Sequence, residues 1–103
     1  MKILIVDDHE LIRTGLSDAL TKNGFEIIGE ASSVAQGLAM LNQYKPEITL
    51  VDVNLGAASG IDLIEQAIAL KSESKFIVVT MHDDEATLDL AKKAGAAAFV
   101  TKS

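Results

Sequence analysis

Lys2-Ile3-Leu4-Ile5-Val6-Asp7-Asp8 decides the fold, because four consecutive apolar residues end abruptly in two acids. An apolar run this short, rich in β-branched side chains, suits a strand buried on both faces. The same form returns at Ile48-Thr49-Leu50-Val51-Asp52, at Phe76-Ile77-Val78-Val79-Thr80 and at Ala96-Ala97-Ala98-Phe99-Val100, which runs on into Thr101-Lys102. Phe25-Glu26-Ile27-Ile28-Gly29-Glu30 is more polar and partly alternating, as expected nearer a sheet edge. Five strands are therefore predicted.

Helical spacing fills the intervals. Ile12, Leu16, Ala19 and Leu20 fall at i, i+4, i+7 and i+8, on one face of a first helix. Ser33-Val34-Ala35-Gln36 has the form of a capping box, with serine accepting an amide and glutamine reaching back to the cap, and Pro46 ends that helix. Ser59-Gly60-Ile61-Asp62 opens a third helix leading into Leu63, Ile64, Ala67, Ile68 and Leu70. A fourth starts near Asp83 or Asp84 and ends at Ala94-Gly95, with Lys92 and Lys93 at its negative end. Strands alternating strictly with helices predict a parallel sheet with right-handed crossovers, and the class is α/β.

The 103 residues fall short of the roughly 150 of a typical domain, so one domain at most is expected. A content of 49% hydrophobic and 23% charged residues matches a packed globular unit and excludes a disordered chain. No apolar stretch approaches the roughly 20 residues of a membrane span, and no signal peptide follows Met1-Lys2, so a cytoplasmic chain is expected. Without cysteine there is no disulfide, thiolate metal site or cysteine nucleophile. Nine basic against fifteen acidic residues leave a formal charge of −6, which opposes direct binding of a nucleic-acid backbone.

Open α/β sheets bind ligands beyond the carboxyl ends of their strands. Those ends carry Asp7-Asp8, Asp52, Thr80 and Thr101-Lys102. Singly they have structural readings: Asp8 as a helix cap, Thr80 as a β-branched strand end, Lys102 as a solvated charge, Asp52 as a partly exposed loop acid. Together, three acids and a lysine on one rim describe a cation site with a counter-charge. Oxygen donors favour a hard divalent ion, Mg²⁺, which takes one or two carboxylates, waters and a phosphate. The missing ligand is then a phosphoryl oxygen, and Asp52 is the expected nucleophile forming an acyl phosphate.

These residues, in this order and spacing across nearly the whole chain, closely resemble the receiver domain of two-component response regulators. The resemblance implies a flavodoxin-like fold, a five-stranded parallel sheet of order 2-1-3-4-5 with helices on both faces. It implies that Asp52 accepts a phosphoryl group from a phosphohistidine on a sensor histidine kinase. Asp7, Asp8 and Asp52 would hold Mg²⁺ together with the main-chain carbonyl of Asn54. Lys102 would pair with the phosphoryl oxygens, and Thr80 would hydrogen-bond to them. Phe99 takes the place of the aromatic residue whose movement follows the threonine, with simple core packing as its alternative. Asn54 and His82 take the places that influence hydrolysis of the phosphoryl group.

Thr80-Met81-His82-Asp83-Asp84-Glu85 and Asp7-Asp8-His9-Glu10 resemble the NarL/FixJ type, whose receivers precede a helix-turn-helix DNA-binding domain absent from these residues. DNA contact is expected only through such a domain. His9 and His82 lack a second histidine or a cysteine at zinc-like spacing, and are read as loop or surface residues. Gly56 stands where many receivers have proline, which predicts a more mobile loop. Ser103 likewise replaces a proline after Lys102. The family's fifth helix is missing, so the chain reads as a truncated receiver with an uncovered apolar face, marginal stability, and a tendency to homodimerise or exchange elements between chains.

Three other functions are weighed. An aspartyl-phosphate hydrolase would place its two aspartates two residues apart after the first strand, whereas Asp7 and Asp8 are adjacent. A phosphorylation-independent interaction domain would keep the acids without completing the switch. A flavodoxin would need a glycine- and hydroxyl-rich phosphate loop where the two acids stand. The reading is a signalling switch that acts on itself, not an enzyme turning over a free substrate.

Overall fold

The computed structural model describes residues 1–55, 58–80 and 85–101. Five parallel strands form one sheet: β1 (Lys2–Val6), β2 (Glu26–Ala31), β3 (Ile48–Asp52), β6 (Lys75–Thr80) and β7 (Ala98–Thr101). Their spatial order is β2-β1-β3-β6-β7, which is the 2-1-3-4-5 order the family resemblance implies. The helices are α1 (Glu10–Lys22), α2 (Val34–Tyr44), α3 (Gly60–Ala69) and α4 (Glu85–Ala94). A short antiparallel pair, β4 (Asn54–Leu55) with β5 (Ala58–Ser59), joins β3 to α3 and was not anticipated from the sequence. No helix among the described residues is long and apolar enough to cross a membrane.

Burial explains the order. All four apolar residues of β1 are buried, as a central strand covered on both faces requires. On one face Leu4, Val6, Val51, Phe76 and Val78 pack with Leu41 of α2, Leu63, Ile64 and Ala67 of α3, and Ala91 of α4. On the other, Ile3 and Ile5 of β1 are buried while their in-register neighbours Ile48 and Leu50 are half-buried. The more polar β2 lies at one edge of the sheet, as its alternation suggested. The apolar stripe of α1 is shallow: Ile12, Leu16 and Leu20 are half-buried, Ala19 is exposed, and the helix has no fully buried residue.

The helix signals worked locally with one change. The Ser33 hydroxyl accepts from the Gln36 amide at 3.2 Å, but the Gln36 side chain accepts from the amide and hydroxyl of Ser32, one residue before the cap. The Ser59 hydroxyl accepts from the Ile61 amide at 3.1 Å. At the end of α4, Gly95 has φ +118°, its amide donates to the Lys92 carbonyl at 3.1 Å, and Ala96 donates to Ala91 at 3.0 Å. That is a Schellman closure, and glycine meets its left-handed geometry without steric cost. The Gly56 loop, His82, the Asp83 or Asp84 helix start, Lys102 and Ser103 lie outside the described residues.

Candidate functional site

Because the strands are parallel, their carboxyl ends share one rim, and register aligns them. Val6 pairs with Val51, Asp52 with Val79, and Thr80 with Thr101. The chain leaves β1 through Asp7, whose amide donates to the Ala31 carbonyl at the end of β2 at 2.9 Å. Asp7 is 2% exposed and Asp52 4%, so the reading of Asp52 as a partly exposed loop acid fails. Thr80 is buried at the end of β6.

Ligand atoms of Asp7, Asp8, His9 and Asp52 all lie within 4.8 Å of one another. Two nearly buried carboxyl groups with a third beside them repel in a place where water cannot screen them, and such a group needs a positive partner. Three converging carboxylates are the donor set of a hard divalent cation. The residues present thus fit the Mg²⁺ that the family resemblance implies.

Backbone amides orient two of the acids. The His9 amide donates to Asp7 Oδ1 at 2.8 Å, and the Asn54 amide to Asp52 Oδ1 at 3.2 Å. Asn54 thereby sits beside Asp52, at the start of β4. The segment after Asp52 is held by Gly60, whose amide donates to the Val53 carbonyl at 2.7 Å. A Cβ on Gly60 would overlap the Asp52 carbonyl oxygen, so only glycine lets α3 start this close to the end of β3.

Two neighbours of the acids were missed by the sequence reading. His9 is not a bystander: Nδ1 lies 3.1 Å from Asp7 Oδ1, 3.1 Å from Asp8 Oδ1 and 3.6 Å from Asp52 Oδ2. It is also the N-cap of α1, which removes that role from Asp8, yet its side chain makes no capping bond. Arg13, one turn further on, donates from Nη1 to the Asp7 carbonyl at 2.6 Å and from Nε to Glu30 Oε1 at 3.1 Å. It ties α1 to the ends of β1 and β2. The only sequence signal for either was position: His9 directly follows the two acids, and Arg13 follows His9 at helical spacing.

Phe99 pairs in register with Val78 and is 37% exposed on the outer strand, which is not the burial of a core aromatic. Thr80 and Asp52 stand on adjacent strands of the same rim.

Comparison with known proteins agrees with this geometry. Residues 3–103 match the family model described as "Response regulator receiver domain". The chain is 34% identical over 101 residues to the chemotaxis protein CheY of Thermotoga maritima, covering 98% of this chain and 84% of that one. It is 36% identical over 104 residues to the DNA-binding transcriptional activator DevR/DosR of Mycobacterium tuberculosis, covering 99% and 48%. The chain spans about half the length of most of the curated relatives it matches. Among solved structures, a response regulator of Burkholderia pseudomallei with a phosphorylated aspartic acid, calcium ion and citrate superposes with a TM-score of 0.90 at 29% identity, covering 98% and 59%. A fold, a rim of acids and a match over nearly every residue thus lead to one assignment: this chain belongs to the receiver domain family of two-component response regulators.

Proposed function

We propose that Asp52 is the phosphoacceptor of this receiver domain and that a sensor histidine kinase is its donor. An Asp52 carboxylate oxygen attacks phosphorus of the kinase phosphohistidine. The new O–P bond forms as the P–N bond breaks, the imidazole leaves with the electron pair, and an acyl phosphate remains on Asp52. The observation that carries this reading is a carboxyl group 4% exposed at the end of β3, one oxygen of which lies within 4.8 Å of a carboxylate oxygen of Asp7 and of Asp8. The likeness to a solved regulator carrying a phosphorylated aspartic acid supports it.

The two oxygens of Asp52 have different neighbours, since Oδ1 accepts the Asn54 amide and Oδ2 faces His9 Nδ1. This division separates a reacting oxygen from one turned towards the acids. Asp7, Asp8, Asp52 and the main-chain carbonyl of Asn54 are the proposed Mg²⁺ ligands. When bound, the ion supplies positive charge that offsets the charge on the transferring phosphoryl group. Thr80 donates its hydroxyl to the phosphoryl oxygens and Lys102 pairs with them. Phe99, partly exposed two register pairs below Thr80, reports the change to the surface. The output, by likeness to DevR/DosR, is control of transcription through a linked DNA-binding domain. The domain phosphorylates and dephosphorylates itself and turns over no free substrate.

The test is intact-protein mass after incubation with Mg²⁺ and a small phosphodonor. Gain of one phosphoryl group by the parent and none by Asp52→Asn is the expected result. Equal labelling of both would overturn the assignment.

A further inference from the structure

We infer that His9 is a metal ligand of this site, and that its Nδ1 gives the acidic cluster a preference for imidazole-binding divalent ions such as Zn²⁺ or Co²⁺ over Mg²⁺. The inference rests on the metal-site reading above and goes beyond it by adding a nitrogen donor and a selectivity. On a sphere of about 2.1 Å around a metal, neighbouring donors are separated by about 3.0 Å in an octahedron and about 3.4 Å in a tetrahedron. Nδ1 stands 3.1, 3.1 and 3.6 Å from one oxygen each of Asp7, Asp8 and Asp52. The ring pairs with these acids directly, and the same separations suit donors gathered around one ion, so a single cation that replaces the direct contacts can draw on the nitrogen and the three carboxylates together.

The local structure turns the ring to that task. An N-cap residue ordinarily uses its side chain to accept a helix amide, and serine, threonine, aspartate or asparagine is preferred there. His9 holds the N-cap of α1 without a side-chain capping bond, and its ring points to the acids instead. Its backbone amide donates to Asp7 Oδ1 at 2.8 Å, so main chain and ring approach the same carboxylate from one residue. Arg13 does not take the ring's place, because its guanidinium is committed to the Asp7 carbonyl and to Glu30. The His9 side chain is 57% exposed, which leaves it room to follow an ion.

Donor chemistry then sets the preference. Carboxylate and carbonyl oxygens alone suit Mg²⁺ and Mn²⁺, whereas imidazole suits Zn²⁺, Co²⁺ and Ni²⁺. A site with three carboxylates and one imidazole nitrogen accepts both classes and holds the second more tightly. Mg²⁺ gains little from Nδ1 and is held by the oxygens.

The experiment measures binding of Zn²⁺, Co²⁺ and Mg²⁺ to the whole chain by calorimetry, in the parent, His9→Ala and His82→Ala, with circular dichroism confirming each fold. Pulsed electron paramagnetic resonance of the Co²⁺-loaded parent at liquid-helium temperature reads ¹⁴N coupling directly and needs no variant. Expected are a Zn²⁺ and Co²⁺ affinity loss of at least about tenfold in His9→Ala, with Mg²⁺ affinity changed less than about twofold, and loss of an imidazole ¹⁴N signal present in the parent and in His82→Ala. Unchanged Zn²⁺ affinity in His9→Ala, tighter Mg²⁺ binding in that variant, or loss of the nitrogen signal on changing His82 instead would each overturn the inference. Failure of the parent to bind any of the three ions would instead overturn the metal-site reading on which it rests.

Discussion

Val6 and Asp7 are consecutive, both essentially inaccessible to solvent, and yet stand in opposite energetic situations; the same is true of Val51 and Asp52. Just below the rim, burial removes apolar surface from water and stabilises the fold. At the rim, burial strips water from carboxyl groups that repel one another, a cost that a bound cation offsets. The protein therefore divides along a line one residue thick, with stability carried on one side and ligand binding on the other. Equal burial tells nothing of purpose until the chemistry of the buried atoms is considered.

Breaking the lower side has the largest expected effect. Phe76 is 1% exposed and packs in the main core, so Phe76→Ala should cost about 3–5 kcal/mol in a denaturant titration. A loss below about 1 kcal/mol would mean that the core is less tightly packed than its burial indicates.

The rim should behave in the opposite sense. Mg²⁺ at about 100 times its dissociation constant should stabilise the parent by about 2.7 kcal/mol in thermal unfolding, and a chelator should reverse this. Asp52→Asn removes one of the repelling acids, so it should unfold at a higher temperature than the metal-free parent and respond less to Mg²⁺. A variant both less stable without metal and equally responsive to it would erase the division.

Gly60 sharpens the comparison, because it touches both sides. Gly60→Ala forces a methyl group into the Asp52 carbonyl and the Val51 side chain, and should cost about 1–3 kcal/mol. It should also weaken Mg²⁺ binding, since the end of β3 must shift. Loss of stability with metal affinity intact would place the strain in the core alone.

How far the sequence can be read follows the same line. Strand interiors were legible because an apolar run of four or five residues has few other stable settings, and the edge position of β2 followed from its glutamates. Helix boundaries at Ser33, Ser59 and Gly95 were legible because capping is decided within a few residues. Asp7, Asp8 and Asp52 could be picked out as strand ends, although their roles came from the family resemblance. His9 and Arg13 were not legible. The Asp7-Asp8-His9-Glu10 resemblance gives His9 no role, Arg13 carries no motif, and what matters about each is a distance to residues on other elements, including Asp52 and Glu30. The β4–β5 pair was equally hidden, since two-residue strands have no periodicity to detect.

Local chemistry in the sequence alone thus determined the α/β class, the strand and helix segments, and which residues stand at the strand ends. Tertiary structure alone decided that Asp7 and Asp52, 45 positions apart, are both buried and share one place with the more exposed Asp8 and His9. The physical reason is that hydrophobic periodicity and capping act over one or two turns, whereas repulsion and ligand binding depend on through-space distances that exist only once the parallel sheet has aligned its carboxyl ends.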